Sequence, residues 1–100
     1  MLSLKSAGEI VRELAQRVRA HRLRRGWTQS EMAERAGVKP ATYVLFERTG
    51  RIAVIRLVKI LDVLGLAHEF DLIGRQQDLA GMSLAEIVEP QRIRGSRRRR

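Results

Sequence analysis

Few of the 100 residues can serve as nucleophile, acid–base group or metal ligand. There is no cysteine. The two histidines, His21 and His68, are isolated, with no His-x-x-x-His spacing or carboxylate cluster beside them. They do not complete a Ser-His-Asp set, and Gly81 is not part of a phosphate loop. Catalysis has no visible apparatus, so the expectation is a protein that is not an enzyme and uses no cofactor or metal. What the chain does offer is cations: twenty Lys and Arg face eleven Asp and Glu, a formal net charge of +9. Such an excess suits a polyanionic partner, either nucleic acid or an anionic surface. Arg92, Arg94, Arg97, Arg98, Arg99 and Arg100 supply most of it from the last ten residues, which leaves the body mildly basic. A polybasic end of this kind draws any polyanion weakly, and nonspecific attraction to DNA is its expected role.

One hundred residues suffice for one modest core and no more. Without disulfides, helix packing must hold it together. Ser6 stands three residues before Glu9, and Ile10, Val11, Leu14, Ala15 and Val18 follow at helical spacing. This predicts a capped first helix to about Arg25, ended by Gly26. Thr28-Gln-Ser-Glu31 repeats the capping box and opens a short second helix with Met32, Ala33 and Ala36 on one face. Gly37 allows a tight turn with Val38 folding inward, and Pro40 fits the first turn of a third helix running to about Glu47, broken at Thr49-Gly50.

Apolar residues at 54, 57, 58, 61 and 64 define a fourth helix ending at Gly65, while Ile55, Ile60 and Val63 add a second apolar flank. That exceeds what one face needs, so Ile55, Ile60, Val63 and Phe70 are expected to meet another chain in a homodimer. Phe70, Leu72 and Ile73 suggest a short docked segment, and Ser83-Leu-Ala-Glu86 a last capping box before Pro90. The expected organisation is an all-helical, compact domain of four to five helices at 6–74, a docking or dimerisation segment at 75–90, and a disordered arginine-rich tail at 91–100. Met1 to Ala7 has no long apolar run, and Arg56, Lys59 and Asp62 interrupt Ile52 to Leu66. No signal peptide or membrane span is therefore indicated, and a cytoplasmic, nucleoid-associated location is expected.

Two short helices joined by a glycine turn, from Thr28 to Glu47, have the spacing at which the second helix can enter a DNA major groove while the first crosses the backbone. Short helical hairpins also occur without DNA, so geometry alone leaves both readings open.

Arg22-Leu-Arg-Arg-Gly-Trp-Thr-Gln29, Met32-Ala33, Ala36-Gly-Val38 and Phe46-Glu-Arg-Thr-Gly50 together resemble the phage-repressor-like (XRE, Cro/CI-type) helix-turn-helix family, over roughly Leu14 to Leu66. Within it, Phe46-Glu-Arg-Thr-Gly50, the helix end Leu64-Gly-Leu66 and the basic tail resemble HipB-like antitoxins, which are typically encoded beside a HipA-like kinase. The resemblance implies a lambda-repressor-like fold, a double-stranded DNA operator and dimeric repression. At the finer level it implies an autoregulating antitoxin of a HipBA-type operon with a HipA-like kinase toxin as partner.

By the same resemblance, Arg22 and Glu47 match a structural pair bridging the first and third helices. Thr28 and Gln29 match positions aimed at a phosphate, although Thr28 has a plain capping role as well. Tyr43 and Phe46 match inward positions, better read as core than as base-stacking residues. Pro40, Ala41, Val44, Leu45 and Arg48 then face outward, flanked by Lys39 and Thr42. This departs from the usual Gln, Asn, Ser or Arg at such positions. Ala41, Val44 and Leu45 can touch only thymine methyl groups, whereas Thr42, Arg48 and Arg51 can hydrogen-bond. A rival reading is a protein-interaction module that uses these apolar faces to bind and neutralise a partner protein, with DNA binding secondary.

Overall fold

The computed structural model describes residues 4–76, in which the regular elements are all helices and there is no strand among the described residues. The order is α1 (Ala7–Arg24), α2 (Gln29–Ala36), α3 (Pro40–Thr49), α4 (Val54–Val63) and a closing 3-10 helix (Ala67–Leu72). The capping box at 83–86, the docking segment from 77 onward and the arginine tail lie outside the described residues.

Capping chemistry sets the first boundaries. At the start of α1 the Ser6 hydroxyl accepts from the Glu9 amide at 3.1 Å, and the Glu9 carboxylate accepts from the Ser6 amide at 2.8 Å. Thr28 and Glu31 repeat the exchange at α2, at 3.0 and 2.8 Å. Each box satisfies amides that a helix start would otherwise leave without partners. Helix α2 ends on Gly37 in the left-handed region (φ 71°), and the Val38 amide reaches back to the Ala33 carbonyl at 3.0 Å. This turn tucks Val38 against the core and aims the chain into Pro40, the first residue of α3.

Helix α3 continues two residues past the expected Glu47. The Thr49 hydroxyl donates to the Leu45 carbonyl one turn back at 2.8 Å and accepts from the Arg51 amide at 3.0 Å. Thr49 thus serves the helix end, and the break falls on Gly50 alone (φ 80°).

Ala15 and Val18 of α1, Met32, Ala33 and Ala36 of α2, Tyr43 and Phe46 of α3, and Ile60, Leu61 and Leu64 around α4 form one buried cluster. Helix α3 is its centre, packed against both α1 and α2, while α4 packs on α2 and the 3-10 helix. Leu14, Trp27, Ile52, Leu57, Val63, Leu66 and Phe70 close its margins.

Two details of the expected patterning need correction. Ile10, assigned to the apolar stripe of α1, is 46 % exposed. On α4 the inward stripe is Leu57, Ile60, Leu61 and Leu64, whereas Val54 and Ile55 face outward at 70 % and 68 %. Ile60, expected at a dimer contact, is wholly enclosed within the protomer. The reason is geometric: α4 is covered from two sides, by α2 and by the 3-10 helix, so its buried arc is wide enough to include Ile60.

Gly50 holds α3 and α1 in close approach. A Cβ built there would lie 2.5 Å from the Val11 carbonyl carbon and 2.6 Å from its oxygen. Gly37 has equally positive φ but open space around the corresponding position. Gly37→Ala should therefore lose only the left-handed backbone penalty of about 1–2 kcal/mol. Gly50→Ala should lose about 2–5 kcal/mol, because backbone must also move. Urea unfolding of the two variants checks this, and equal losses would show that the contact with Val11 is not close.

Candidate nucleic-acid interface

The Glu47 carboxylate lies where α1, α2 and α3 meet. Arg22 of α1 donates to it twice, from Nε to Oε2 at 2.6 Å and from Nη2 to Oε1 at 3.1 Å, and its Nη1 donates to the Trp27 carbonyl at 2.7 Å. Gln29, the first residue of α2, donates from Nε2 to Oε1 at 3.0 Å. The Tyr43 hydroxyl, one turn before Glu47 on α3, donates to Oε2. Only 8 % of the Arg22 side chain and 4 % of the Glu47 side chain remain exposed.

These contacts shift the ionisation of the whole cluster. Burial pushes the Glu47 carboxyl up, but the hydrogen bonds from Arg22, Tyr43 and Gln29 and the Arg22 charge outweigh it, so its pKa falls below the ordinary value. The Tyr43 hydroxyl is raised, by burial first and then by the adjacent carboxylate. Arg22 is raised chiefly by its hydrogen bond to Glu47. The cluster is therefore ionised at the pair and neutral at the phenol across ordinary pH.

With α3 fixed in this way, its outer side is defined by the helical period. Ala41, Val44, Leu45 and Arg48 fall at i, i+3, i+4 and i+7, one stripe along the helix. All four are exposed, Val44 and Leu45 at 37 % and 40 %. Lys39 and Pro40 are exposed at its start, Thr42 is half-buried beside it, and Arg51 is exposed just beyond its end. Tyr43 and Phe46 are wholly buried, with ring centroids 6.1 Å apart.

Thr28 and Gln29 lie at the start of α2. Thr28 is exposed with its hydroxyl oxygen engaged in capping, and the half-buried Gln29 has one side-chain N–H committed to Glu47. What Gln29 offers a phosphate is its backbone amide and its remaining side-chain N–H. Of the residues expected at a dimer contact, Ile55 is exposed, Val63 and Phe70 are half-buried, and Ile60 belongs to the core.

Three contacts near the site have no counterpart in the sequence patterns. The Trp27 ring lies within cation–π distance of two guanidinium groups, 5.6 Å from Arg25 and 4.4 Å from Arg35. Arg25 also donates to the Leu64 carbonyl at 3.2 Å, linking the ends of α1 and α4. Gln29 joins the buried cluster. None of these pairs lies within one helix, so periodicity carries no sign of them. Among the described residues no group of His, Cys, Asp and Glu can hold a metal ion, and no helix is long and apolar enough to cross a membrane.

Arg22→Ala and Glu47→Ala should each destabilise by about 3–5 kcal/mol. Glu47→Ala should be the worse, since it strands donors on Arg22, Gln29 and Tyr43 at once, and the double mutant should lose less than the sum. Additive losses in denaturant unfolding would show that the pair does not act as one. The linkage has a definite sign. A carboxyl depressed in the fold contributes stability above the unfolded glutamate pKa of about 4.3 and loses it as pH falls through the folded value. The wild type should therefore weaken more steeply below about pH 4.3 than Glu47→Gln does, and parallel curves of unfolding free energy against pH would contradict the assignment.

A helix-turn-helix family model matches residues 18–70, which takes in α2, the glycine turn, α3, α4 and most of the 3-10 helix. No curated protein matches the chain. The matched span covers more than half of the sequence and the whole of the arrangement around Glu47. The chain belongs to the phage-repressor-like, XRE-type helix-turn-helix family and is a DNA-binding transcription regulator.

Proposed function

We propose that this protein is a sequence-specific repressor that binds a double-stranded operator as a homodimer. The observation that carries the reading is the outer side of α3. It is exposed along its length, held from behind by the Glu47 cluster, and bordered by Lys39, Arg48 and Arg51. On this reading α3 enters the major groove, Thr42, Arg48 and Arg51 supply hydrogen bonds, and Thr28 and Gln29 meet a phosphate at the positive end of α2. One short helix reads too few base pairs for an address, so two protomers bind half-sites about one helical turn apart. Ile55, Val63 and Phe70 are the dimer contacts, with Val54 (70 % exposed) added and Ile60 withdrawn. The last ten residues bring six arginines, and the protein works in the cytoplasm on the nucleoid.

The finer proposal is an autoregulating antitoxin of a HipBA-type operon. Its support is the Phe46-Glu-Arg-Thr-Gly50 ending, the Leu64-Gly-Leu66 helix end and the basic tail. The exposed Val54 and Ile55 favour a second reading in which neutralising a partner protein is the main task and DNA binding secondary. Co-purification with a kinase encoded beside the gene supports the antitoxin proposal, and a stand-alone gene controlling only its own promoter contradicts it.

The test is a set of titrations with native promoter DNA and scrambled duplex at several salt concentrations. Removing Gln91 to Arg100 should weaken both duplexes alike and make the log–log salt slope shallower by about 0.9 for each phosphate that the tail neutralises. Arg48→Ala and Thr42→Ala should weaken the promoter more than the scrambled duplex. The promoter complex should contain two protomers. If no variant changes DNA affinity, the fold stands and the repressor reading does not.

A further inference from the structure

The outer stripe of α3 carries an unusual set of side chains for reading bases. From Pro40 to Thr49 there is no Asn, Gln or Asp, and the one carboxylate, Glu47, is enclosed by Arg22, Gln29 and Tyr43. Thr49 has its hydroxyl committed to Leu45 and Arg51. The four positions of the stripe therefore lack a bidentate partner for adenine and an acceptor for the cytosine amino group, and the half-buried Thr42 hydroxyl beside them is the one acceptor α3 keeps for a base edge. What it does present is Ala41, Val44 and Leu45 in succession, closed by the cation of Arg48.

A major groove shows only one apolar group that such a stripe can cover, the C5-methyl of thymine. Set against a cytosine or adenine amino group, Val44 or Leu45 would dry a donor and give it no partner, at a penalty of about tenfold in affinity. Lys39, Arg48 and Arg51 border the stripe with positive charge, and Glu47 is withdrawn from it. An acidic, phosphate-lined groove with methyl groups on its floor complements this surface in both charge and polarity. From Ala41 to Arg48 the helix rises about 10 Å, which spans about three base-pair steps.

Resting on the repressor reading above, we infer that α3 is a methyl reader. Ala41, Val44 and Leu45 select thymines on two or three neighbouring steps of each half-site, and Arg48 takes a guanine edge or a phosphate at the margin. The same surface accepts 5-methylcytosine, which carries its methyl group at the corresponding place.

The full chain is used to select duplexes from a pool with a randomised core, and the enriched duplex is then resynthesised with uracil in place of each thymine in turn. Uracil differs only by the missing methyl group. Within each half-site, uracil should weaken binding about fourfold per buried methyl, the equivalent of one buried CH2, and outside the half-sites it should have no effect. Cytosine at a sensitive position should bind worse than thymine, and 5-methylcytosine should recover about fourfold. In Leu45→Ser and Val44→Ser, whose altered side chains are exposed and whose helicity is checked by circular dichroism, the preference for thymine over uracil should shrink toward one.

An enriched operator that binds equally well with thymine and with uracil overturns the methyl-reader inference and leaves the repressor reading standing. Failure of any sequence to enrich overturns both, and assigns the apolar stripe to a protein partner.

Discussion

A single carboxylate holds the geometry on which the rest depends. Glu47 is almost enclosed, and an ionised group in that setting is tolerated only because four donor atoms converge on it. The donors come from Arg22 on α1, Gln29 on α2 and Tyr43 on α3 itself, so meeting the needs of one anion fixes three helices relative to each other. The Arg22 side chain carries the constraint further, to the Trp27 carbonyl in the turn before α2. Helix packing alone admits small slides and rotations, whereas a bidentate ion pair with two further hydrogen bonds narrows them. A buried pair of this kind is weak evidence of net stability, and what its geometry supplies here is a fixed relation among three helices.

The second constraint is the approach of Gly50 to Val11. The buried ion pair positions the middle of α3, and the glycine positions its end against the backbone of α1. The two contacts thus hold α3 at its middle and at its C-terminal end. The loop into α4 starts from a defined place, and the contacts of Arg25 and Arg35 with the Trp27 ring tie α2 to the turn before it.

How much of this is legible in the sequence depends on how local the physics is. The capping boxes at Ser6 and Thr28, the left-handed turn at Gly37 and the entry at Pro40 are each encoded within a few neighbouring residues, and the helices start and turn where those signals lie. The expected end of α3 falls two residues early because Thr weakens a helix interior on average, while here its hydroxyl bonds back to Leu45. On α4, seven of the ten positions are apolar, so the pattern does not mark one narrow inward arc; the two-sided cover from α2 and the 3-10 helix decides it and claims Ile60. The close approach of Gly50 to Val11 and the engagement of Gln29 by Glu47 join residues 39 and 18 positions apart. No spacing rule reaches across such separations, whereas the pairing of Arg22 with Glu47 is suggested by family resemblance.

The residues that hold α3 in place and the residues that face away from it are different sets. Tyr43, Phe46, Glu47 and Gly50 serve the interior, and Ala41, Val44, Leu45 and Arg48 have no part in the core or in the ion pair. On the repressor reading, drift at the second set changes the DNA address at small cost to folding, so that address can shift by single steps through stable intermediates. After duplication of the gene, two copies can part company in what they regulate while keeping an identical frame. On the same reading the chain is a chassis: a new address can be written onto four outward positions with little change to the fold beneath them.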